Sequence, residues 1–143
     1  MKIAIACDHG AFGFKNSLTK FLNDNNHEII DFGTHNTDSC DYPDFGLKAC
    51  QSLIDSKVDR VILSCTNGIG MSMMANKFNG IRAALVYSST SAKATRNHHD
   101  SNVLCLGAKE FPISELLIFT KIWLEEEFEG GRHQTRIDKF PVC

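Results

Sequence analysis

A cysteine followed by a glycine-containing loop is the part of this sequence that most directly suggests chemistry. Cys65 follows the apolar run 60–64 and precedes the segment 66–70, of sequence TNGIG. The run has the composition of a buried parallel strand, so we expect Cys65 at its carboxyl end, where open α/β sheets bind ligands. Gly68 and Gly70 permit a tight turn, and free N–H groups at the start of the next helix hold an anion and favour the thiolate. This predicts a base or nucleophile beside an oxyanion hole, although a buried core cysteine before an ordinary turn has the same local pattern.

Other polar residues lie close to the ends of other predicted strands. Asp8 and His9 follow the first strand, Lys109 follows the fifth, and the segment 96–102, of sequence RNHHDSN, precedes the fifth. We expect these groups to meet at one crevice along the carboxyl ends of the strands. Simpler roles exist for each: Asp8 and His9 as helix caps, and the segment 96–102 as a solvated turn or, less favoured, part of a metal site.

The chain ends in a basic segment. Arg132 and Arg136 lie four residues apart with His133 between them. Guanidinium groups bind phosphate and carboxylate through paired hydrogen bonds, so this spacing suits an oxyanion, although two arginines alone are more often an exposed basic tail.

Length and composition limit the classes of protein that remain. The 143 residues, 43% hydrophobic and 22% charged, fit one domain, 1–143, and a net charge of -2 gives no reason to expect nucleic acid or membrane as a partner. There is no apolar span of transmembrane length, and the apolar start is too short for a signal peptide, so a cytoplasmic location is predicted. The six cysteines include no Cys-x-x-Cys pair, which predicts reduced thiols and neither a disulfide framework nor a zinc site.

Strand and helix signals alternate along the whole chain. This alternation predicts right-handed βαβ crossovers and a three-layer α/β/α sandwich, Rossmann-like, with a five-stranded parallel sheet whose order begins 2-1-3. The predicted strands are Ile3–Cys7, Glu28–Phe32, Arg60–Ser64, Ala83–Tyr87 and Val103–Leu106; the predicted helices are 12–25, 43–56, 70–78, 89–98 and 113–128.

Several blocks, in order and over nearly the whole chain, resemble ribose-5-phosphate isomerase of the B type, a family that also contains allose-6-phosphate and galactose-6-phosphate isomerases. The matching blocks are 7–10 (CDHG), 41–43 (DYP), Cys65 with 68–70 (GIG) and 75–77 (ANK), 80–83 (GIRA), Arg96 with His98 and Asp100, 102–104 (NVL), and 129–134 (EGGRHQ) with Arg136.

The resemblance implies an aldose–ketose isomerase of the pentose phosphate pathway. In this family a sugar ring is opened and a proton then moves between C1 and C2 through an enediolate. Cys65 corresponds to the base and His98 to the ring-opening acid, which Asp8 orients or assists. The N–H groups of residues 66–70 would face the enediolate oxygens, and no metal or organic cofactor is implied.

The resemblance also implies which residues bind the rest of the substrate. His9, Arg132 and Arg136 would hold the 5-phosphate. The chain departs from the family at three positions that face substrate. Thr66-Asn67 replaces Gly-Thr or Gly-Ser, so an amide stands where a proton-shuttling hydroxyl is common and Thr66 is the available substitute. His99 replaces an Asn, and Lys109 replaces an Arg.

Relatives assemble as dimers or pairs of dimers whose sites are completed by the neighbouring subunit. We therefore expect a homodimer or homotetramer in which the basic tail 129–143 completes the site, with Arg132, Arg136 or Lys109 acting across the interface. Three alternatives remain open: a hexose-6-phosphate isomerase, which shares every motif; a cysteine-based phosphatase, disfavoured because Met71 occupies the position of the arginine that closes a phosphate loop; and a non-catalytic module binding a phosphorylated ligand.

Overall fold

The computed structural model describes residues 1–141, in which five strands alternate with five helices and a sixth helix follows the fifth. The strands are β1 (Lys2–Cys7), β2 (Glu28–Asp31), β3 (Arg60–Cys65), β4 (Ala83–Leu85) and β5 (Val103–Gly107); the helices are α1 (Phe12–Asp24), α2 (Tyr42–Ile54), α3 (Ile69–Ala75), α4 (Ser89–Asn97), α5 (Ile113–Glu125) and α6 (Arg132–Ile137). A 3₁₀ turn, His9–Ala11, precedes α1. None of the described helices is long and apolar enough to cross a membrane.

All five strands are parallel, in the order β2-β1-β3-β5-β4. The predicted Rossmann-like sheet and the partial order 2-1-3 are confirmed. The order in which strands are added to the sheet reverses between β1 and β3. A doubly wound sheet binds ligands at such a switch point, beyond the carboxyl ends of the strands. We call this side of the sheet the carboxyl edge and the opposite side the amino edge.

Alternate residues of each strand face two separate hydrophobic layers. On one face Ile5 and Ile62 pack against α1, α4 and α5, and on the other face Leu63 and Cys65 pack against α2 and α3. The period-two alternation of a strand explains why Cys65 shares a face with Leu63 and not with Ile62. The Cys65 thiol therefore lies on the side of the sheet covered by α2 and α3.

Hydrogen bonds hold both ends of α4, the helix that leads to the amino edge. Ser88 caps α4 in a capping box, its hydroxyl accepting from the N–H of Ser91 at 3.0 Å. At the other end of α4, the buried indole of Trp123 donates to the Ser101 hydroxyl at 2.8 Å. The turn between α4 and β5 is thus anchored to α5.

The basic tail is more ordered than the sequence predicts. Residues 132–137 form α6, which follows Gly130 and Gly131, both with positive φ (64° and 55°). This backbone conformation favours glycine and turns the chain sharply after α5. Within the predicted tail 129–143, the last two residues lie outside the described part of the chain.

Candidate active site

Cys65 is the last residue of β3 and lies at the carboxyl edge, as predicted. Its side chain is 5% exposed, and the N–H of Gly68 donates to its Sγ at 3.2 Å. Gly68 has φ 77°, and a Cβ there would lie 2.9 Å from the carbonyl carbon of Leu106. The loop is consequently held against the end of β5, with the backbone N–H of Gly68 aimed at the thiol.

Asn67 uses its side chain to close the loop on itself. The N–H of Ile69 donates to Asn67 Oδ1 at 3.1 Å, and both residues are exposed. Of the predicted oxyanion donors between 66 and 70, the Gly68 N–H therefore already contacts the thiol and the Ile69 N–H is engaged by Asn67. The Asn67 amide, which stands where related proteins have a hydroxyl, thus forms a hydrogen bond within the loop.

The side chains of Asp8 and Thr66 both lie beside Gly10. Asp8 is 8% exposed, and its Oδ1 is buried with no hydrogen-bond partner among the described residues. A Cβ on Gly10 would lie 2.7 Å from Thr66 Oγ1 and 3.3 Å from Asp8 Oδ1, so only glycine leaves both groups undisturbed. An acceptor buried without a partner costs free energy, which makes the Asp8 carboxylate ready to accept a hydrogen bond from a ligand hydroxyl.

His9 lies on the same edge and contacts the loop after β2. Its Nδ1 accepts the N–H of Cys40 at 3.2 Å, so in the neutral ring the proton is on Nε2. The base of this loop is fixed by the buried Lys15, whose Nζ donates to both oxygens of Asp31, at 2.9 and 2.7 Å. Nε2 of His9 therefore remains as a donor for an oxyanion.

Lys109 also lies at the carboxyl edge. Its backbone N–H donates to the Thr66 carbonyl at 3.0 Å, and the N–H of Ala108 donates to the Cys65 carbonyl at 2.9 Å. The ammonium is exposed, so it is free to reach a ligand above the loop. The carboxyl edge thus combines the predicted residues Asp8, His9, Cys65, Thr66, Asn67, Gly68, Ile69, Gly70 and Lys109.

His98 and His99 do not join this group in a single chain, and the expectation of one crevice is wrong in that respect. They follow α4, which runs back towards the amino edge, and the next residues enter β5 beside the start of β3, where Val61 N–H donates to the Asn102 carbonyl at 3.1 Å. Five residue steps along β3 separate Arg60 from Cys65, which is about 16 Å of strand. His98 and Cys65 accordingly lie at opposite edges of the same sheet.

At the amino edge His98 packs against the tail. Its ring stacks on that of His133, with centroids 4.3 Å apart and an interplanar angle of 10°, and His133 Nε2 lies 3.4 Å from a Glu129 carboxylate oxygen. Burial, and then the neighbouring His98 and Arg132, lower the pKa of His133 below its usual value, against the opposing effect of Glu129. Arg132 and Arg136 lie on α6 and are exposed, so they form a second, basic half of the predicted site.

Sequence reasoning missed the partners of His98. His133 of α6 stacks on His98, and the N–H of Glu129 donates to the carbonyl of Asn97, contacts that have no local pattern in the sequence. The Gly130-Gly131 pair is the one signal that could have indicated the turn.

The remaining thiols differ from Cys65. Burial raises the pKa of Cys7 and of Cys50 to about 12, and that of Cys105 well above its usual value. All five cysteines in the described residues are free thiols, as predicted, and Cys143 lies outside them. We therefore assign these three thiols a structural role, whereas the Cys65 thiol accepts the N–H of the glycine loop that follows its strand.

The chain is similar in sequence and structure to sugar phosphate isomerases. The model of the Ribose/Galactose Isomerase family matches residues 3–140. A putative sugar phosphate isomerase of Bacillus subtilis is 45% identical over 140 residues, covering 97% of this chain and 94% of the relative. The structure of ribose-5-phosphate isomerase B from Clostridium thermocellum superimposes with a TM-score of 0.95 at 45% identity, covering 97% of this chain and 94% of that one. Ribose-5-phosphate isomerase B from Mycoplasma genitalium, whose structure contains ribulose 5-phosphate, gives a TM-score of 0.92 at 38% identity, covering 96% of this chain and 92% of that one.

Proposed function

The chain belongs to the ribose and galactose isomerase family, and from this we infer that it interconverts ribose 5-phosphate and ribulose 5-phosphate with Cys65 as the proton-transferring base. The observation that carries the assignment of the base is the Gly68 N–H that contacts Cys65 Sγ at 3.2 Å at the carboxyl end of β3. A pentose phosphate is the preferred substrate because a 38% identical relative contains ribulose 5-phosphate. A hexose 6-phosphate is the second candidate, since the family description includes both sugars.

The isomerisation needs a base for the carbon-bound proton, hydrogen-bond donors for the enediolate oxygens, and a group that transfers a proton between O1 and O2. The carboxyl edge supplies residues for these three functions. A thiolate removes the C2 proton of the open-chain aldose and returns it to C1, so one group serves both directions. The negative charge of the enediolate develops on O1 and O2, where backbone donors of the loop stabilise it most. The Thr66 hydroxyl and the Asp8 carboxylate both lie beside Gly10. We assign to Thr66 the transfer of the proton between O1 and O2, which Asn67 has no hydroxyl to perform. Acid–base side chains suffice for these steps, so no cofactor is proposed.

His98 opens the sugar ring in this proposal, and it does so in the site of a neighbouring copy. Within one chain it lies at the amino edge, about 16 Å of strand from the level of Cys65. A two-fold pair of chains that places the amino edge of one copy over the carboxyl edge of the other would unite both halves. We therefore propose a homodimer, alone or paired into a tetramer, in which His98, His99, Arg132 and Arg136 act across the interface.

Exposed apolar side chains beside the Cys65 loop support this association. Ile69 and Met73 on α3 are 49% and 66% exposed, and Tyr87 just after β4 is 66% exposed. Large apolar side chains that lie close together and are this exposed are typical of a surface that another protein covers. A copy seated there would lie directly beside the thiol.

The phosphate would be held from both halves. Arg132 and Arg136 provide paired donors from one copy, while His9 Nε2 and Lys109 provide donors from the other. Fixing the phosphate places C2 over the thiol and gives the reaction its orientation. A charged sugar phosphate does not cross membranes unaided, which supports a cytoplasmic enzyme of the pentose phosphate pathway.

The direct test is conversion of ribose 5-phosphate to ribulose 5-phosphate by purified protein in buffer containing a chelator. Wild type should be active, and Cys65→Ala should lose at least about 10²-fold in kcat, the usual minimum for a missing general base. Cys50→Ala is the matched control, because it removes a thiol from the same hydrophobic layer without touching the loop. Retained activity in Cys65→Ala, with correct folding by circular dichroism, would contradict the proposed mechanism.

A further inference from the structure

Three side chains at the amino edge bring metal-ligand atoms together. These residues, His98, Glu129 and His133, each offer one ligand atom, and the three atoms lie within 4.8 Å of one another. One of these separations, His133 Nε2 to Glu129 Oε2, is 3.4 Å. A tetrahedral ion with bonds of about 2.1 Å has ligand atoms about 3.4 Å apart, so this pair already has the required spacing. We call the three residues the amino-edge cluster.

Neighbouring hydrogen bonds hold the cluster in place. The N–H of Glu129 donates to the carbonyl of Asn97, the residue before His98, at 3.0 Å. Asn97 Nδ2 approaches the other carboxylate oxygen of Glu129, Oε1, at 3.4 Å. In metal sites, a carboxylate that binds the ion is commonly oriented by a hydrogen bond to its other oxygen. Asn97 is 7% exposed, so this support is part of the fold.

We propose that His98, Glu129 and His133 form a binding site for a borderline divalent cation such as Zn²⁺, and that occupancy of this site reversibly inhibits the enzyme by holding the His98 imidazole. Two imidazoles and one carboxylate with an open fourth position form a donor set typical of Zn²⁺ in proteins. Hard ions such as Mg²⁺ and Ca²⁺ prefer oxygen ligands alone and would bind weakly here.

The movement needed to complete the site is small. The widest pair of ligand atoms must close from no more than 4.8 Å to about 3.4 Å. The two imidazoles are stacked, so one ring must turn about its Cβ–Cγ bond to direct its lone pair at the ion. His98 is the ring that turns, because it is partly exposed while His133 is 5% exposed. Glu129 is exposed and follows without cost to the core.

The charges around the cluster are mixed. Arg132 and Arg136 oppose a cation, whereas Glu126, which accepts from Asn97 Nδ2 at 3.0 Å, adds a second carboxylate behind Glu129. This balance predicts moderate affinity, suited to a reversible inhibitory site and not to a permanent structural ion. All three ligands belong to one chain, so binding does not require the dimer.

Binding is tested first, independently of activity. Co²⁺ is titrated into the purified wild-type protein and its visible absorption is recorded, because a four-coordinate nitrogen and oxygen site gives a spectrum distinct from that of a thiolate site. We expect one equivalent per chain, without a thiolate charge-transfer band. Glu129→Gln should weaken binding by roughly 100-fold or more, since loss of an outer partner alone already costs 10–100-fold. Glu127→Gln, which removes a nearby exposed carboxylate outside the cluster, should leave the affinity unchanged.

His133→Gln provides a second variant that removes a different ligand, and thermal unfolding checks that both proteins fold. Unchanged Co²⁺ affinity in folded Glu129→Gln and His133→Gln would overturn the site. A spectrum dominated by thiolate bands that disappears in Cys40→Ser would also overturn it, since the ion would then bind beside His9, whose Nδ1 lies 3.8 Å from Cys40 Sγ.

Inhibition is measured second, and this part rests on the proposed role of His98. Zn²⁺ should inhibit ribose 5-phosphate isomerisation by wild type and by Glu127→Gln at concentrations that match binding, with full recovery on addition of chelator. The inhibition constant of Glu129→Gln should rise by the same factor as its dissociation constant. A protein that binds one ion at the cluster and keeps full activity would refute the inhibitory part. A wild type without isomerase activity would refute the proposed function, while the Co²⁺ titration would still decide whether the site exists.

Discussion

Mixing two inactive variants should restore activity if each active site is built from two chains. Cys65→Ala removes the base from the carboxyl edge, and His98→Ala removes the ring-opening acid from the amino edge of the same chain. Each homodimer contains only defective sites. In a mixed dimer the intact Cys65 of one chain faces the intact His98 of the other, so one of its two sites is complete.

The expected magnitude follows from counting sites. Random association of equal amounts gives about one half mixed dimers, each with one complete site, so about one quarter of wild-type activity should return. The assay is ribulose 5-phosphate formation after the two variants, carrying different tags, are denatured and refolded together. Mass analysis of the tagged dimers measures the fraction that is mixed.

A mixture of two variants from the same edge serves as the control for this test. Asp8→Asn and Cys65→Ala both change the carboxyl edge, so their mixed dimer contains no complete site and should stay inactive. The reasoning is refuted if mixed dimers of Cys65→Ala and His98→Ala form and remain inactive. It is equally refuted if the pair of carboxyl-edge variants recovers activity to the same extent.

Three further predictions concern the loop, the buried thiols and the substrate. Gly68→Ala should destabilise the fold by about 1–3 kcal/mol and reduce kcat, because its φ is 77° and the added Cβ would lie 2.6 Å from Leu85 Cδ1; chemical denaturation and the isomerase assay measure both, and a stability equal to wild type would contradict the loop geometry. Because burial raises the pKa of Cys7, Cys50 and Cys105, these thiols stay protonated in the folded protein and ionise on unfolding, so stability is retained below pH 9 and decreases above it. Each thiol contributes a slope that approaches about 1.4 kcal/mol per pH unit once the unfolded thiol is ionised, so Cys50→Ala should show a slope shallower by about 1 kcal/mol per pH unit between pH 9 and 10, and an identical slope would disprove the assignment. Allose 6-phosphate should be converted with kcat/KM at least roughly 10-fold below that of ribose 5-phosphate, the usual penalty for one carbon in a shaped pocket; the reverse order would make this chain a hexose phosphate isomerase.

The residues of the carboxyl edge could be predicted because their positions depend on short stretches of the sequence. A run of apolar residues that ends at Cys65 and continues as TNGIG specifies a strand, a turn and a helix start, and each polar residue follows its strand directly. The same reasoning places Asp8. The partial strand order 2-1-3 is the one that two right-handed crossovers give when their helices, α1 and α2, cover opposite faces of the sheet.

His98 illustrates why the other half was harder. It precedes β5 instead of following it, so the alternation of strands and helices already assigns it to the amino edge. The expectation of a common crevice overlooked this consequence. The stacking of His98 on His133 joins positions 35 residues apart through α6, and such a contact depends on the path of the whole chain and not on a local pattern.

Trp123 is the single tryptophan of the chain, and its hydrogen bond to Ser101 gives the molecule a built-in optical probe. Its indole is fully buried beside the turn that carries His98, and the Arg60 guanidinium lies 5.1 Å from the ring centre. The emission of this one fluorophore therefore reports on the amino edge without any label. A ligand, an ion or a second subunit that alters the turn would change its wavelength or intensity, whereas events confined to the thiol loop would leave the signal nearly unchanged. Spectroscopy of the unmodified protein can thus follow the amino-edge half of the site by itself.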